Sequence, residues 1–162
     1  MKPDLPRVAG ISGDYSFRAA KRKDLRRVNQ MRRDRYHAEI KHDESMSRGQ
    51  RWRKTADVWA TVRVKRRLRP KGIYVAEHVD GKVAAAFKIK PSRSGELKGD
   101  GLIADENYRG SGKALITAVG YSLPPGTRLN IEAQTNRLDG IHQEWGARPT
   151  GKGKRLAWPN HA

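Results

Sequence analysis

Apolar and polar residues alternate over Tyr15-Ser16-Phe17-Arg18-Ala19, which predicts a short strand. Asp24 then stands at an N-cap position ahead of Leu25, Val28 and Met31, which are spaced for a helix. Trp52, Trp59 and Val62 recur at helical intervals beside Ala56 and Val58. They predict an amphipathic second helix from about Ser47 to Leu68 with its apolar stripe on the core, ended by Pro70 and Gly72. Ile73–Val79 and Val83–Ile89 read as two strands joined by Asp80-Gly81, a strong hairpin signal, and the alanine run Ala84–Ala86 within them suits close packing. Pro91 to Gly95 carries no apolar residue and reads as a turn or exposed loop. Leu97 to Ala104 is the next strand, interrupted by Gly99 and Gly101, which permit a bulge or a close backbone approach.

Ala114, Leu115, Ala118 and Val119, with Tyr121 and Leu123, mark a further helix that Pro124-Pro125-Gly126 breaks. Leu129, Ile131 and Ala133 alternate as a strand. Leu138, Ile141, His142 and Trp145 then form a short helix ended by Gly146. Strands around Ala147–Thr150 and Arg155–Trp158, separated by Gly151-Lys152-Gly153, complete the pattern, and no internal repeat is visible.

The chain has 162 residues, enough for one domain with a real core. Residues 1–13, with two prolines and two glycines, read as a flexible basic lead-in, and residues 14–162 as the domain. Cysteine is absent, which excludes disulfides, thiolate metal sites and a thiol nucleophile. No apolar run approaches a membrane span and no signal-peptide core opens the chain, so a soluble, cytoplasmic protein is expected. His37 and His42 lie five apart, a spacing that suits neither one helical face nor a metal site, and they read as surface residues.

Charge changes the picture most. Thirty-five Lys and Arg against 17 Asp and Glu give a formal net charge of +18. Self-repulsion at that charge opposes compaction, and a polyanionic partner is the natural counterweight: nucleic acid, or an acidic protein surface. Arg51, Lys54, Arg63, Lys65, Arg66, Arg67, Arg69 and Lys71 crowd the second helix and its end. The helix dipole accounts for a few cations at a C-terminus, but eight exceed that role.

The chemistry centres on Tyr108-Arg109-Gly110-Ser111-Gly112-Lys113-Ala114. A strand, a glycine turn and a helix start place unpaired N–H groups around one point, a device for holding phosphate. A Walker A loop needs glycine at Asn107 and Ser/Thr at Ala114, and a dinucleotide fingerprint needs glycine at Leu115. Neither fits. Arg109, Gly112 and Ala114 spell Arg-x-x-Gly-x-Ala, which resembles the pyrophosphate loop of the GCN5-related N-acetyltransferase (GNAT) superfamily. Three other stretches are similar to that family in order: Phe17-Arg18-Ala19 to Asp24-Leu25, the hairpin Tyr74 to Phe87, and Asn136 to Gly146.

The resemblance implies an α+β fold with α/β/α layers. It would have a single mixed, mostly antiparallel sheet of six to seven strands, about four helices, and a splay between the fourth and fifth strands. It implies acetyl-CoA as cofactor. Backbone N–H groups of Arg109, Gly110, Ser111, Gly112, Lys113 and Ala114 would cradle the pyrophosphate, and edge groups of Leu102, Ile103 and Ala104 would pair with pantetheine. Asn136 matches an Asn that contacts the cofactor in many relatives. Lys113 departs from the small or aliphatic residue usual there, and either reaches a CoA phosphate or faces solvent. The family's general-acid Tyr falls on His142, whose imidazole can donate a proton near neutral pH; otherwise Tyr74 or Tyr121 would serve. For the base, Asp100 and Glu77 are the accessible carboxylates, and alternation leaves open which faces the cleft.

The reaction implied is acetyl transfer to an amine. Basic charge points to an acceptor on nucleic acid or bound to it: a modified DNA base, an aminoacyl-tRNA, or a protein lysine. The alternative is a GNAT-fold nucleic-acid-binding protein without activity. Oligomeric state is left open, a dimer included.

Overall fold

The computed structural model describes residues 4–42, 47–50, 52–53, 69–92, 95–124, 126–132, 141, 143–149 and 155–158. The chain divides into two compact units, residues 20–71 and residues 1–19 with 72–162.

The larger unit is built on one sheet of eight strands among the described residues: β1 Ile11–Ser12, β2 Tyr15–Ala19, β3 Ile73–His78, β4 Val83–Pro91, β5 Leu97–Ala104, β6 Leu129–Glu132, β7 Arg148–Pro149 and β8 Arg155–Trp158. Their order is β1-β2-β3-β4-β5-β6-β8-β7. The β5–β6 pair is parallel and the other pairs are antiparallel. The sheet is thus mixed and mostly antiparallel, as expected, and the two-residue strands β1 and β7 take the count past seven.

The hairpin forms where Asp80-Gly81 predicts it, closed by His78 N–H to Lys82 C=O at 2.9 Å. One helix of the larger unit, α3, runs Ser111–Tyr121. Its stripe Leu115, Ile116 and Val119, with Leu123 just past its end, joins Phe17, Tyr74, Ala76, Ala85, Phe87, Leu97, Leu129 and Ile131 in a single core. Leu115, Ile116 and Val119 are no more than 2 % exposed, each worth about 1.5–3 kcal/mol of burial. The alanines Ala76 and Ala85, both fully buried, leave room for the helix to approach the sheet.

The lead-in expected to be flexible is tied down. Val8 is buried in the core, Leu5 packs against it, and the Tyr74 hydroxyl donates to the Pro6 carbonyl at 2.7 Å. Burying Val8 offsets the cost of ordering the segment, which residue composition alone does not reveal.

In the smaller unit, a single 3-10 turn, Arg22–Asp24, leads into α1, Leu25–His42. Asp24 sits at the third position of the turn, where its carboxylate accepts the Lys21 N–H at 2.7 Å, so it closes the helix start from inside instead of capping it. Val28 and Met31 are buried, as their spacing predicts. Residues 48–50 and 52–53 are helical and are the described part of the expected second helix, α2. Ser47 Oγ accepts the Gln50 N–H and Gln50 Oε1 accepts the Ser47 N–H, a reciprocal capping box that fixes the start where it was expected. Trp52 is 75 % exposed, which corrects its assignment to a core stripe: this turn carries Arg48, Gly49, Gln50 and Arg53, all exposed. The rest of the stretch expected to be helical, with Trp59 and Val62, lies outside the described residues.

Strand β5 positions the site. Its register with β4 shifts between Phe87 and Ile89, placing an extra residue on β5 at a bulge that includes Gly101, φ 122°. Gly99 is the close approach: a Cβ there would stand 2.6 Å from Ile131 Cγ2 and 2.7 Å from Phe87 Cζ. Gly99→Ala should therefore destabilise the protein by about 1–3 kcal/mol through overpacking, read as a lower denaturation midpoint.

Candidate functional site

The expected splay is present. Strands β5 and β6 pair only at Leu97↔Leu129 and Lys98↔Asn130, although β5 continues to Ala104. The closed end is fastened by Leu97 N–H to Arg128 C=O at 3.0 Å and by a hydrogen bond from the Asn130 amide to the Glu96 carboxylate. Beyond Lys98, no described strand pairs with β5 on its β6 side.

Of the three edge residues expected to face the gap, two do. Asp105 N–H donates to Ala84 C=O at 2.8 Å, continuing the β4 ladder in which Ala86 opposes Ile103. Backbone groups in an antiparallel pair alternate in direction, so those of Ile103 turn to β4 while those of Leu102 and Ala104 turn to the gap. Ile103 is thus corrected from an edge donor to a ladder residue.

The glycine loop begins where β5 ends. Asp105 Oδ1 accepts the Asn107 N–H at 2.9 Å and Asp105 C=O accepts the Tyr108 N–H at 3.0 Å, turning the chain back toward the sheet. Gly110, at φ 75° and ψ 1°, precedes the helix. Ser111 is 1 % exposed and its hydroxyl donates to Ala84 C=O at 3.3 Å. One β4 carbonyl therefore holds both the strand exit and the helix start, and the alanine run does more than pack. A Cβ on Gly112 would touch Ala104 at 3.4 Å and Leu102 and Trp145 at 3.8 Å, so the helix starts against the end of β5.

Six N–H groups were expected to converge here. Ser111 spends its own on Tyr108 C=O and Ala114 on Gly110 C=O. Those of Arg109, Gly110, Gly112 and Lys113 have no acceptor among the described residues. With the dipole of α3 behind them and the free edge of β5 leading up to them, they fit a diphosphate carried on an amide-bearing chain. Arg109 and Lys113 are exposed beside these donors.

The catalytic candidates are less gathered. Asp100 lies on β5 within the bulged stretch. Glu77 and Tyr74 lie on β3, which β4 separates from β5. Glu77 pairs with Arg18 at 3.4 Å, and the Tyr74 hydroxyl is spent on Pro6, with burial holding the phenol above its ordinary pKa. Tyr121, 71 % exposed, ends α3, a helix length from the loop. His142 and Asn136 lie outside the described residues. Gly146, at φ 110°, ends a helical turn at 141 and 143–144, as its sequence suggested.

Side chains assigned no role at the site from the sequence brace the loop. Tyr108 donates its hydroxyl to Asp80 Oδ2 at 2.7 Å, and its ring meets His78 edge-on at 5.0 Å between centroids. His78 in turn meets Tyr15 at 5.5 Å, and the Tyr15 hydroxyl donates to Arg109 C=O at 2.9 Å. Asp-Gly marked the hairpin, but no local pattern links it to a loop 28 residues on.

The Lys82 N–H, and then the Tyr108 hydroxyl, hold the Asp80 carboxyl below its ordinary pKa. A depressed carboxyl contributes its tie above the ordinary carboxylate range and loses it as pH falls through the depressed value. Tyr108→Phe should raise the Asp80 titration, measured by NMR of the carboxyl carbon. An unmoved titration would mean that Lys82 and His78 set it without Tyr108.

No family model matches the chain, and no curated protein matches it in sequence. Solved structures do. The "histone acetyltransferase HPA2 and related acetyltransferase" of Corynebacterium glutamicum matches at a TM-score of 0.63 and 13 % identity, over 90 % of this chain and 94 % of that one. The ribosomal-protein-S5-alanine acetyltransferase of Vibrio fischeri matches at 0.55 and 11 %, over 95 % and 97 %. The spermidine N-acetyltransferase of Vibrio cholerae, in complex with CoA and spermine, matches at 0.54 and 12 %, over 90 % and 93 %. The chain has the fold of the GCN5-related N-acetyltransferases.

Proposed function

We propose that this protein is an acetyl-CoA-dependent N-acetyltransferase whose acceptor amine is carried on nucleic acid or on a molecule bound to it. The observation that carries the reading is the run of free backbone groups from Leu102 and Ala104 to the Arg109, Gly110, Gly112 and Lys113 amides. It suits a ligand that is a strand-like amide chain at one end and a diphosphate at the other, and a spermidine acetyltransferase of the same fold is known with CoA.

Bound there, acetyl-CoA would supply an activated acetyl group. The edge groups of Leu102 and Ala104 would align its amide-bearing arm, and the four loop amides would hold the diphosphate. Asp100 would accept the proton of the attacking amine and His142 would return one to the departing thiolate sulfur. Asp100→Asn should lower acetyl transfer by about 10²- to 10⁴-fold while CoA affinity is retained. Unchanged turnover would remove Asp100 from the mechanism.

The acceptor class rests on charge. The formal net charge is +18, and Trp52 stands exposed between exposed Arg48 and Arg53, the composition of a surface that stacks bases and pairs phosphates. Incubation with labelled acetyl-CoA and separate fractions of protein, tRNA and DNA should label a nucleic acid or a protein bound to it. Trp52→Ala should weaken nucleic-acid binding by about 1–3 kcal/mol at constant salt while leaving the salt slope unchanged.

A binding protein without activity is the second reading, favoured by the structural engagement of Glu77 with Arg18 and of Tyr74 with Pro6. Millimolar acetyl-CoA should raise the melting temperature if the first reading holds. No shift would favour the second.

A further inference from the structure

The Tyr108–Ser111 segment is a β-turn closed by Ser111 N–H to Tyr108 C=O at 3.3 Å. Gly110, at φ 75° and ψ 1°, has the conformation required at the third position of a type II turn, and no non-glycine residue among those described has positive φ. Types I and II differ by a flip of the central peptide, here the one joining Arg109 to Gly110. In a trans peptide the C=O and the following N–H point in opposite directions. Whatever holds the Arg109 carbonyl therefore decides where the Gly110 N–H points.

The Tyr15 hydroxyl holds it, at 2.9 Å, from a strand 94 residues away. The phenol is itself fixed: its ring packs against the core and stands edge-on to His78, whose other neighbour is the Tyr108 ring. Burial, with Asp14 and Asp80 adding, keeps the Tyr15 pKa above its ordinary value, so the hydroxyl remains a donor across neutral pH. The opposite face of the peptide, the Gly110 N–H, has no acceptor among the described residues.

We infer that Tyr15 is a positioning residue for the cofactor loop, locking the Arg109–Gly110 peptide so that the Gly110 N–H faces the diphosphate of the acyl carrier. In the flipped, type I arrangement the Arg109 carbonyl would occupy that direction and repel the anion. The two turn types would otherwise compete, because the other ties of the loop, Tyr108 to Asp80 and Ser111 to Ala84, hold its ends and not its central peptide. The inference rests on the proposed acyl-carrier reading but adds a residue that no loop motif contains.

The test compares Tyr15→Phe with the unaltered protein by calorimetric titration of CoA and of acetyl-pantetheine, which lacks the diphosphate. Phe keeps the ring contacts and removes the donor alone. The expected result is a roughly three- to tenfold weaker Kd for CoA, the size of one net hydrogen bond, with acetyl-pantetheine unaffected. The KM for acetyl-CoA should rise by the same factor with kcat at saturation preserved, a split that general loosening of the fold would not give.

Gly110→Ala disfavours the type II turn without touching Tyr15 and should reproduce the ligand-selective loss. Because both variants act on one peptide, the double variant should lose less than the product of the two single losses. Equal loss on both ligands, no loss on CoA, or fully multiplicative losses would each overturn the inference while leaving the acyl-carrier reading intact. Failure of the unaltered protein to bind either ligand would overturn that reading and this one with it.

Discussion

The ladder between β5 and β6 stops after two residue pairs, and the rest of the site depends on that stop. Continuing the parallel pairing would use the edge groups of Leu102 and Ala104 within the sheet. Two features hold the strands together below that point and apart above it. Asn130–Glu96 and Leu97–Arg128 fasten the closed end, while Gly99 lets Ile131 and Phe87 fill the space where the strands diverge. The bulge that follows shifts the register with β4 by one residue. That shift puts Leu102 and Ala104, instead of Ile103, at the open edge, and it lets the strand exit meet the Ala84 carbonyl that also receives Ser111.

What the sequence revealed was local. The Asp-Gly hairpin, the glycine-bearing strand, the break after α3 and the Gly146 stop are each written in a few adjacent residues with special backbone needs. Gly99 and Gly101 signalled a bulge or a close approach, and each supplies one of the two. Contacts that span the chain were invisible: Tyr74 to Pro6 crosses 68 positions and Tyr15 to Arg109 crosses 94. The lead-in was misread for that reason, since its polar, proline-bearing composition says nothing of the Val8 pocket. Trp52 was misread for another. Helical spacing states which residues share a face, but not whether that face is covered. At the site, the loop motif pointed to six N–H groups, of which the turn uses that of Ser111 and the first turn of α3 that of Ala114.

The proposed function asks for two kinds of anion recognition in one chain. Cations in excess act at long range, and their attraction weakens steeply with salt because it comes from displaced counterions. The loop amides act only at contact, with a direction fixed by the turn and by α3, and carry no net charge. The attraction of the basic surface falls with ionic strength, whereas the direction in which the loop amides point does not. Under the proposed function, the difference would separate a small diphosphate-bearing ligand from a polyanionic acceptor. Without such a division, a net charge of +18 would leave a short anionic cofactor competing with every phosphate of a nucleic acid for the same lysines and arginines. Under the proposed function, neutral, pre-aimed donors in a turn that a phenol holds in place would give a diphosphate contacts that lysines and arginines do not supply.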